Sequence, residues 1–279
     1  MPDPTFSTLR SASVAPISSL LLTYHEVIAD HSRDLYTVHA ERFRQQMDFL
    51  SGAASTGTLQ EGTIHISFDD VHCSNIEIAF PVLEPCRLKA VFFITAGWTG
   101  TKPDAMGWSD LRTLIKAGHS IQSHGWSHKF LTHCSPSELN NELRASKDTL
   151  ENRLNSPVDC ISLPGGRWNK AVLDACAAAG YRHVYTSDPL LHPVRHQDLW
   201  MHGRMMVHRG TSNSELYHFL SGDRAFWMKM RGARRLKQAG RKVLGDALYS
   251  LLWRKLSFRD TSHFTQGQSG NDTNLTRGQ

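Results

Sequence analysis

The sequence lacks three features that would place it at once in a large class of proteins. No run approaches the roughly 18 apolar residues that a membrane-spanning helix needs, so we expect no such helix. The five cysteines are odd in number and show no CxxC spacing, which predicts free thiols rather than disulfides or a structural zinc site. No glycine-rich nucleotide loop follows the first strand-like run, which disfavours an open doubly wound sheet.

The net charge of +5 is unevenly distributed along the chain. Residues 223–255 contain ten Lys or Arg and two Asp, so the remainder is weakly acidic. Within this segment, residues 224–255 interleave basic and apolar side chains, a pattern that can lie on an anionic membrane surface. The alternative is a covering helix whose charges face solvent. Because the main domain has no basic bias, we expect no nucleic-acid partner.

Composition divides the chain into four segments. Residues 1–17 predict a flexible N-terminal lead, and residues 18–212 show the regular alternation of a folded domain. Residues 213–257 predict a basic helical C-terminal extension, and the polar residues 258–279 predict a disordered tail. The apolar stretch Leu20–Leu22 is shorter than the core of a signal peptide. We therefore expect a cytoplasmic protein, located at the inner membrane face if the basic segment binds lipid.

Strand-like and helix-like runs alternate between residues 20 and 208. The seven predicted strands are residues 20–24, 64–68, 90–95, 119–123, 158–163, 182–186 and 204–208. Gly118 and Gly180 follow two of the intervening helices, at the position where a left-handed glycine ends a helix. Such alternation is typical of parallel βα units. We predict an α/β fold, a distorted (β/α) barrel of about seven parallel strands whose chemistry lies at the carboxyl ends of the strands.

Reactive side chains stand where predicted strands end. The second strand runs into Asp69-Asp70, and the fourth runs into His124, which His128 follows four residues later. Two imidazoles and one carboxylate can hold a divalent metal with open positions, although histidines at this spacing are often solvated loop residues. Adjacent carboxylates repel each other unless a cation lies near one of them. Together the two features predict a metal site with a spare carboxylate, the arrangement that hydrolysis needs.

These motifs resemble those of the polysaccharide deacetylase family, also called the NodB-homology or carbohydrate esterase 4 family. The run Ile66–Asp70 (ISFDD) resembles its T-F-D-D-G motif, and Ser123–His128 (SHGWSH) resembles its H-S/T-x-x-H motif. The run Ile161–Arg167 (ISLPGGR) is similar to its Pro-Gly motif, which lines the substrate groove. The resemblance covers about residues 20–208. It implies a distorted (β/α) barrel that removes N-acetyl groups from glycans, hydrolysing a non-peptide C–N amide bond.

The resemblance also implies roles for individual residues. By motif position, Asp69 would be the general base, and Asp70, His124 and His128 would bind a divalent metal ion, for which we predict zinc. The predicted partner is an N-acetylated glycan in a polysaccharide or oligosaccharide.

Three positions depart from the family pattern. Val71 stands where the family has glycine, and Gly125 stands where Ser or Thr is usual. Ser162 occupies a place where many members carry an arginine that orients the base. We expect the base to be held differently here, and Arg167 is our candidate for that role.

The motifs leave three candidates for the histidine that protonates the departing amine. His208 follows the strand-like run Met205–Val207, and we favour it. His192 follows a loop-like Asp-Pro, and His25 could reach the same face because first and last strands are neighbours in a closed barrel. The remaining alternative is that none of these histidines is the acid.

Five residues are predicted to touch the substrate. The backbone N–H of Val71 is placed to stabilise the oxyanion, and Pro164 and Gly165 line the groove by resemblance. Trp126 and Trp168 either stack on sugar rings or simply pack at the barrel rim.

Two other functions fit the same motifs. One is a metal-dependent amidohydrolase that acts on another amide, such as a formyl-sugar or a ureide. The other is a catalytically silent carbohydrate-binding homologue, which the absent motif arginine favours and the retained acidic and histidine residues oppose.

Overall fold

The computed structural model describes residues 17–30, 34–57, 63–190, 192–236 and 239–240. The lead up to residue 16, the tail 258–279 and nearly all of the basic segment beyond residue 236 lie outside the described residues. One compact unit extends to Gly232, and the residues from Ala233 onward belong to a second. Among the described residues, no helix combines the length and apolar character needed to cross a membrane.

Ten strands lie within the described residues. In chain order they are β1 (Ile17–Tyr24), β2 (Glu26–Ile28), β3 (Thr37–His39), β4 (Ile64–Asp69), β5 (Ala90–Ile94), β6 (Ser120–Ser123), β7 (Cys160–Ser162), β8 (His183–Tyr185), β9 (Val194–His196) and β10 (Leu199–Met206). Seven of them form a parallel barrel in the order β1-β4-β5-β6-β7-β8-β10, and β10 closes it by pairing with β1. The predicted barrel of about seven parallel strands is confirmed. Strand β9 pairs antiparallel with β10 outside this ring, and β2 pairs with β3 in a separate small sheet.

Helices connect most of the barrel strands, and two helical segments follow the last strand. They are α1 (Ala40–Ser55), α2 (Phe80–Leu83), α3 (Trp108–Lys116), α4 (Pro136–Leu154), α5 (Lys170–Ala178) and α6 (Asn213–Leu220), and residues 224–236 are also helical. A capping box formed by Ser135 and Glu138 begins α4, because each residue satisfies a backbone N–H of the other. Gly118 and Gly180 have φ values of 86° and 84°, as expected for glycines that end α3 and α5.

Apolar side chains divide between two layers because successive residues of a strand point to opposite faces. The smaller layer fills the barrel and contains Leu21, Val91, Phe93, Cys160 and Tyr185. Their strand neighbours, such as Leu22 and Phe92, belong to the larger layer between the barrel and the helices. All five cysteines are free; Cys160 and Cys176 are buried, whereas the other three are half-buried.

The carboxyl ends of three barrel strands carry the residues of interest. Strand β4 ends at Asp69, and β6 ends at Ser123, directly before His124. The last strand, β10, ends at Met206, so His208 lies two residues beyond the strand that it was expected to end. Because parallel strands end at the same rim of a barrel, these residues collect on one side of the molecule.

Candidate metal centre and active site

Asp70, His124 and His128 converge at the rim of the barrel. The Oδ1 atom of Asp70 lies 3.3 Å from Nε2 of His124 and 3.1 Å from Nε2 of His128. The three residues form a group whose potential ligand atoms all lie within 4.8 Å of one another. The predicted proximity of one carboxylate and two imidazoles is therefore present in the structure.

The chemistry of these donors fits a divalent cation. Nδ1 of His124 lies 2.8 Å from the carbonyl oxygen of Ser162, which only accepts hydrogen bonds, so Nδ1 carries the proton. The Nε2 lone pair of a neutral ring then faces the carboxylate of Asp70, whose buried Oδ1 has no hydrogen-bond partner among the described residues. Two such electron-rich atoms at this distance are stabilised by positive charge between them, supplied by a metal ion or by a proton on Nε2. Neighbouring ligands of a tetrahedral zinc site, with bonds of about 2.0–2.1 Å, are separated by about 3.3 Å.

Electrostatics favour the ionised carboxylate at this centre. Burial opposes ionisation of Asp70, but the imidazoles of His124 and His128 outweigh it and lower the pKa of the carboxyl. Burial likewise disfavours a charged His124, yet Asp69 and Asp70 outweigh burial and raise its pKa. The site is therefore built to hold positive charge between these groups.

Asp69 is a second carboxylate beside this centre. It is 2 % exposed, and its Oδ2 lies 3.8 Å from Nε2 of His124. Arg204 of β10 donates from one terminal nitrogen to both carboxylate oxygens, at 2.9 and 2.8 Å, and the Ser162 hydroxyl donates to Oδ2 at 3.0 Å. Burial raises the pKa of Asp69, but Arg204, with smaller contributions from nearby histidines, outweighs burial and holds it below its ordinary value. Asp69 is thus ionised and fixed in orientation.

His25 lies in a cleft beside Asp70. With Asp70, Val71, Trp98 and Lys102, it is among the residues that line a cleft of about 270 Å³. Its Nδ1 is buried and has no hydrogen-bond partner among the described residues. Burial lowers the pKa of His25, and the neighbouring carboxylates Asp69 and Asp70 oppose that effect. A protonatable ring therefore shares a cleft with Asp70, one of the candidate metal ligands.

Residues 56–184 match the profile of the family described as polysaccharide deacetylase. This segment belongs to the polysaccharide deacetylase family. The resemblance inferred from the motifs is confirmed, and the matched segment of this deacetylase domain contains Asp69, Asp70, His124 and His128. Arg204 and His25 lie outside the matched segment.

Three known proteins illustrate the similarity of the deacetylase domain. It is 30% identical to YxkH of Bacillus subtilis (strain 168) over 154 residues, 55% of this chain and 54% of YxkH. It is 25% identical to the chitooligosaccharide deacetylase of Bradyrhizobium sp. (strain ANU 289) over 132 residues, 46% of this chain and 57% of that protein. The Streptococcus pyogenes deacetylase PplD in complex with acetate shares the fold, with a TM-score of 0.59 at 22% identity over 74% of this chain and 97% of PplD. The chain spans about half the length of the curated relatives it matches.

The departures from the family motifs have structural explanations in the deacetylase domain. Asp70 and Val71 have φ values of 82° and 90°, a region that suits glycine and strains a β-branched residue by about 1–3 kcal/mol. The Val71 side chain is buried in the core, which offsets that strain. The loop thus keeps a glycine-like backbone without glycine.

The guanidinium that holds Asp69 comes from Arg204, so the expectation of Arg167 is wrong. Arg167 instead lies over the ring of Phe130, 4.1 Å from its centroid. The side chains of Asp69 on β4 and Arg204 on β10 both point into the barrel, which is why residues 135 positions apart pair there. Arg204 carries a recognisable signal, because it is a charged residue within an apolar strand at an inward-facing position.

The other predicted residues occupy different places around the rim. His208 packs its ring 5.2 Å from that of Tyr36, which in turn lies 5.0 Å from His25, and His192 is exposed. Pro164 is buried and lies against Gly125, whereas Gly165 is exposed. The two tryptophans differ: Trp126 is half-buried against Gly97, and Trp168 is 40% exposed and donates to Asp188.

Proposed function

We propose that this protein is a metal-dependent hydrolase that removes acetyl groups from N-acetylated sugars in a glycan. The observation that carries the proposal is the ionised, oriented Asp69 beside the group of Asp70, His124 and His128. Two imidazoles and one carboxylate suit zinc, the metal that we propose. The chitooligosaccharide deacetylase of Bradyrhizobium supports the choice of substrate by its name.

Different residues of the site have different roles in the proposed reaction. A divalent cation held by Asp70, His124 and His128 would supply Lewis acidity and a more acidic water molecule. Asp69 takes a proton from the attacking water, and Arg204 and Ser162 keep its carboxylate aimed while it does so. Val71 is our candidate for the backbone N–H that faces the oxyanion.

We propose His25 as the proton donor to the departing amine, in place of His208. His25 lines the cleft together with Asp70, and its closest charged neighbours include Asp69 and His124. His208 contacts Tyr36 and is not among the residues that line this cleft. An expelled amine must be protonated, so a donor contributes about 10²–10⁴-fold to the rate.

The test is acetate release from N-acetylglucosamine oligomers, measured with and without a chelator. We expect chelation and the Asp70→Asn substitution each to abolish activity, and zinc to restore it to the wild-type protein only. His25→Asn should lower kcat by about 10²-fold or more, whereas the matched His208→Asn should change it less than about threefold. Chelator-resistant turnover would refute the metal mechanism, and the reverse order of the two histidine variants would refute His25.

A substrate panel separates the remaining functions. Faster turnover of N-formyl sugars or ureides than of N-acetyl sugars would identify a different amidohydrolase built on the same site. Glycan binding without any turnover would identify a silent carbohydrate-binding homologue.

We also propose that the basic segment 224–255 contacts anionic lipid, which would place the protein at the inner membrane face. Residues 224–236 are helical and contain five basic and no acidic residues, and Met228 is 67% exposed. Trp227 packs into the core against Phe219 and so anchors the beginning of this helix to the domain. The intact chain should float with vesicles containing phosphatidylserine and not with phosphatidylcholine vesicles, and equal behaviour on both would refute the contact.

A further inference from the structure

A buried carboxylate that the reaction does not use holds the loop between the two candidate histidine ligands. Glu142 is 4% exposed and lies on the buried face of α4 together with Leu139, Leu143 and Ser146. A buried acidic side chain is unfavourable unless its charge is satisfied by donors. The groups that satisfy it belong to the loop, residues 125–127.

Three hydrogen bonds join Glu142 to this loop. Its Oε2 accepts from the backbone N–H groups of Trp126 and Ser127, both at 2.9 Å. Its Oε1 accepts from the hydroxyl of Ser127. Bonds to an ionised acceptor are the strong kind, and here two of them fix peptide planes rather than side chains.

The loop is also held from its opposite side. Backbone N–H groups of Ala96 and Gly97 donate to the carbonyls of Gly125 and Trp126, at 3.0 and 2.9 Å. Glu142 therefore completes a clamp in which the loop's carbonyls bind one element and its N–H groups bind another. Because both edges of the loop backbone are held, the positions of the flanking residues His124 and His128 are fixed relative to each other.

The backbone conformation of Gly125 favours this arrangement. Its φ is 80°, which suits glycine, whereas a Cβ atom built there would make only ordinary contacts, 3.5 Å from Oε2 of Glu142 and 3.9 Å from Pro164. The family's usual Ser or Thr at this position offers a hydroxyl that can steady the loop. In this chain the carboxylate of α4 approaches the loop backbone directly.

We propose that Glu142 is a positioning residue that holds the loop so that Nε2 of His124 and His128 both face Asp70. This inference rests on the proposed function, because it concerns affinity for the metal that the site would bind. Outer partners of metal ligands typically change metal affinity by about 10–100-fold when removed. We expect Glu142→Ala to weaken Zn²⁺ binding within that range.

Two further variants separate the effect of the side-chain length of residue 142 from the effect of its charge. Glu142→Gln keeps the side-chain length, so its amide oxygen can accept both backbone N–H groups while its NH₂ donates to Ser127. We expect Zn²⁺ affinity within about threefold of wild type. Glu142→Asp keeps the charge but is one methylene shorter, so we expect its affinity to fall close to that of the alanine variant.

The measurement is Zn²⁺ affinity by competition with a chromophoric chelator, with the visible absorption of bound Co²⁺ as a second readout of ligand geometry. Leu143→Ala is the matched control, because it removes a fully buried side chain from the same helix face. It should lower the free energy of unfolding by about 2–5 kcal/mol and leave Zn²⁺ affinity and the Co²⁺ spectrum unchanged. Glu142→Ala and Glu142→Asp should alter both metal readouts.

The outcomes are distinguishable from those of the proposed function. A wild-type protein that binds no Zn²⁺ would overturn the proposed function and this inference together. Wild-type binding that Glu142→Ala leaves unchanged would overturn the role of Glu142 alone. If the alanine variant does not fold, the Zn²⁺ affinities of the other two variants test the role of Glu142. Tight binding by Glu142→Asp with weak binding by Glu142→Gln would show that the charge matters rather than the side-chain length, and would refute the clamp.

Discussion

Replacing Arg204 by methionine removes the only guanidinium that contacts Asp69 among the described residues while filling a similar volume inside the barrel. Arg204 is 2% exposed, and its terminal nitrogen lies 2.9 and 2.8 Å from the two oxygens of Asp69. In the variant, Asp69 keeps only the hydroxyl of Ser162 as a close donor. A buried carboxylate is then left without its counter-charge.

The expected loss of stability is large. Breaking a buried ion pair by removing one partner costs about 3–5 kcal/mol, because the remaining charge stays desolvated. With a urea m-value of about 2 kcal/mol/M, the unfolding midpoint should fall by about 1.5–2.5 M. This is a sizeable part of the roughly 5–15 kcal/mol by which domains are stable.

Urea unfolding in the presence of a chelator measures this effect without stabilisation by bound metal. A double-mutant cycle with Asp69→Asn isolates the pair, and we expect a coupling energy above about 2 kcal/mol, since the double variant carries neither charge. Arg167→Met is the matched control: its guanidinium stacks on Phe130 and does not touch Asp69, so this variant should destabilise the domain less than Arg204→Met does. The same Arg204 variant should lower kcat more than it changes KM, because this buried residue orients Asp69, the proposed general base.

The reasoning fails if Arg204→Met costs less than about 1 kcal/mol, or if its cost equals that of Arg167→Met. Additive effects of the two single variants in the cycle would equally show that Asp69 does not depend on this guanidinium.

Two other predictions concern parts of the barrel outside the proposed reaction. Burial, aided by the nearby His183, lowers the pKa of His202 to about 4, whereas an unfolded histidine has a pKa of about 6.5. Between these two pH values, unfolding therefore takes up a proton. The stabilisation due to neutral His202 is complete above about pH 6.5 and is lost toward pH 4, at up to about 1.4 kcal/mol per pH unit. His202→Gln should reduce this slope of the free energy of unfolding against pH, measured by urea unfolding. Gly166→Ala should destabilise the domain by more than about 2 kcal/mol, because its Cβ would lie 2.5 Å from the backbone nitrogen of Ser187. In contrast, a Cβ at Gly52 in helix α1 meets nothing within 4 Å, so Gly52→Ala should stabilise the domain by about 0.5–1 kcal/mol.

The predictions for His202 and for the two glycines each have a matched control. The exposed His192, replaced by glutamine, should leave the pH slope of stability unchanged, and an equal change in both variants would contradict the assignment to His202. Thermal unfolding of the two alanine variants should give shifts of opposite sign, and a stabilised Gly166→Ala would contradict the close approach of Ser187.

Local sequence patterns were sufficient to predict the barrel and the grouping of the candidate metal ligands. All seven predicted strands exist, because alternating apolar runs and helix-ending glycines such as Gly118 are local signals. Asp69-Asp70 and His124 could be placed together because the ends of parallel strands meet at one rim. His128 could be placed at the same site because it lies only four residues after His124 in the sequence.

The last strand shows where such patterns lose resolution. It was predicted over residues 204–208 but spans Leu199–Met206, so His208 is not its terminal residue. An apolar run indicates that a strand exists more reliably than it indicates where pairing stops, since pairing depends on the neighbouring strands β1 and β8.

Patterns within short segments were enough to predict the alternation of elements, the parallel barrel and the three groups that can hold a cation, because periodicity and strand ends are local properties. The packing of distant elements against one another established which guanidinium holds Asp69, which histidine shares a cleft with Asp70 and which carboxylate contacts the loop between His124 and His128. Arg204, His25 and Glu142 reach the site from three different elements, and contacts between distant elements leave no local pattern. The inward direction of a strand residue or the buried face of a helix shows that a polar group needs a partner, but the identity of that partner depends on how the chain closes in space.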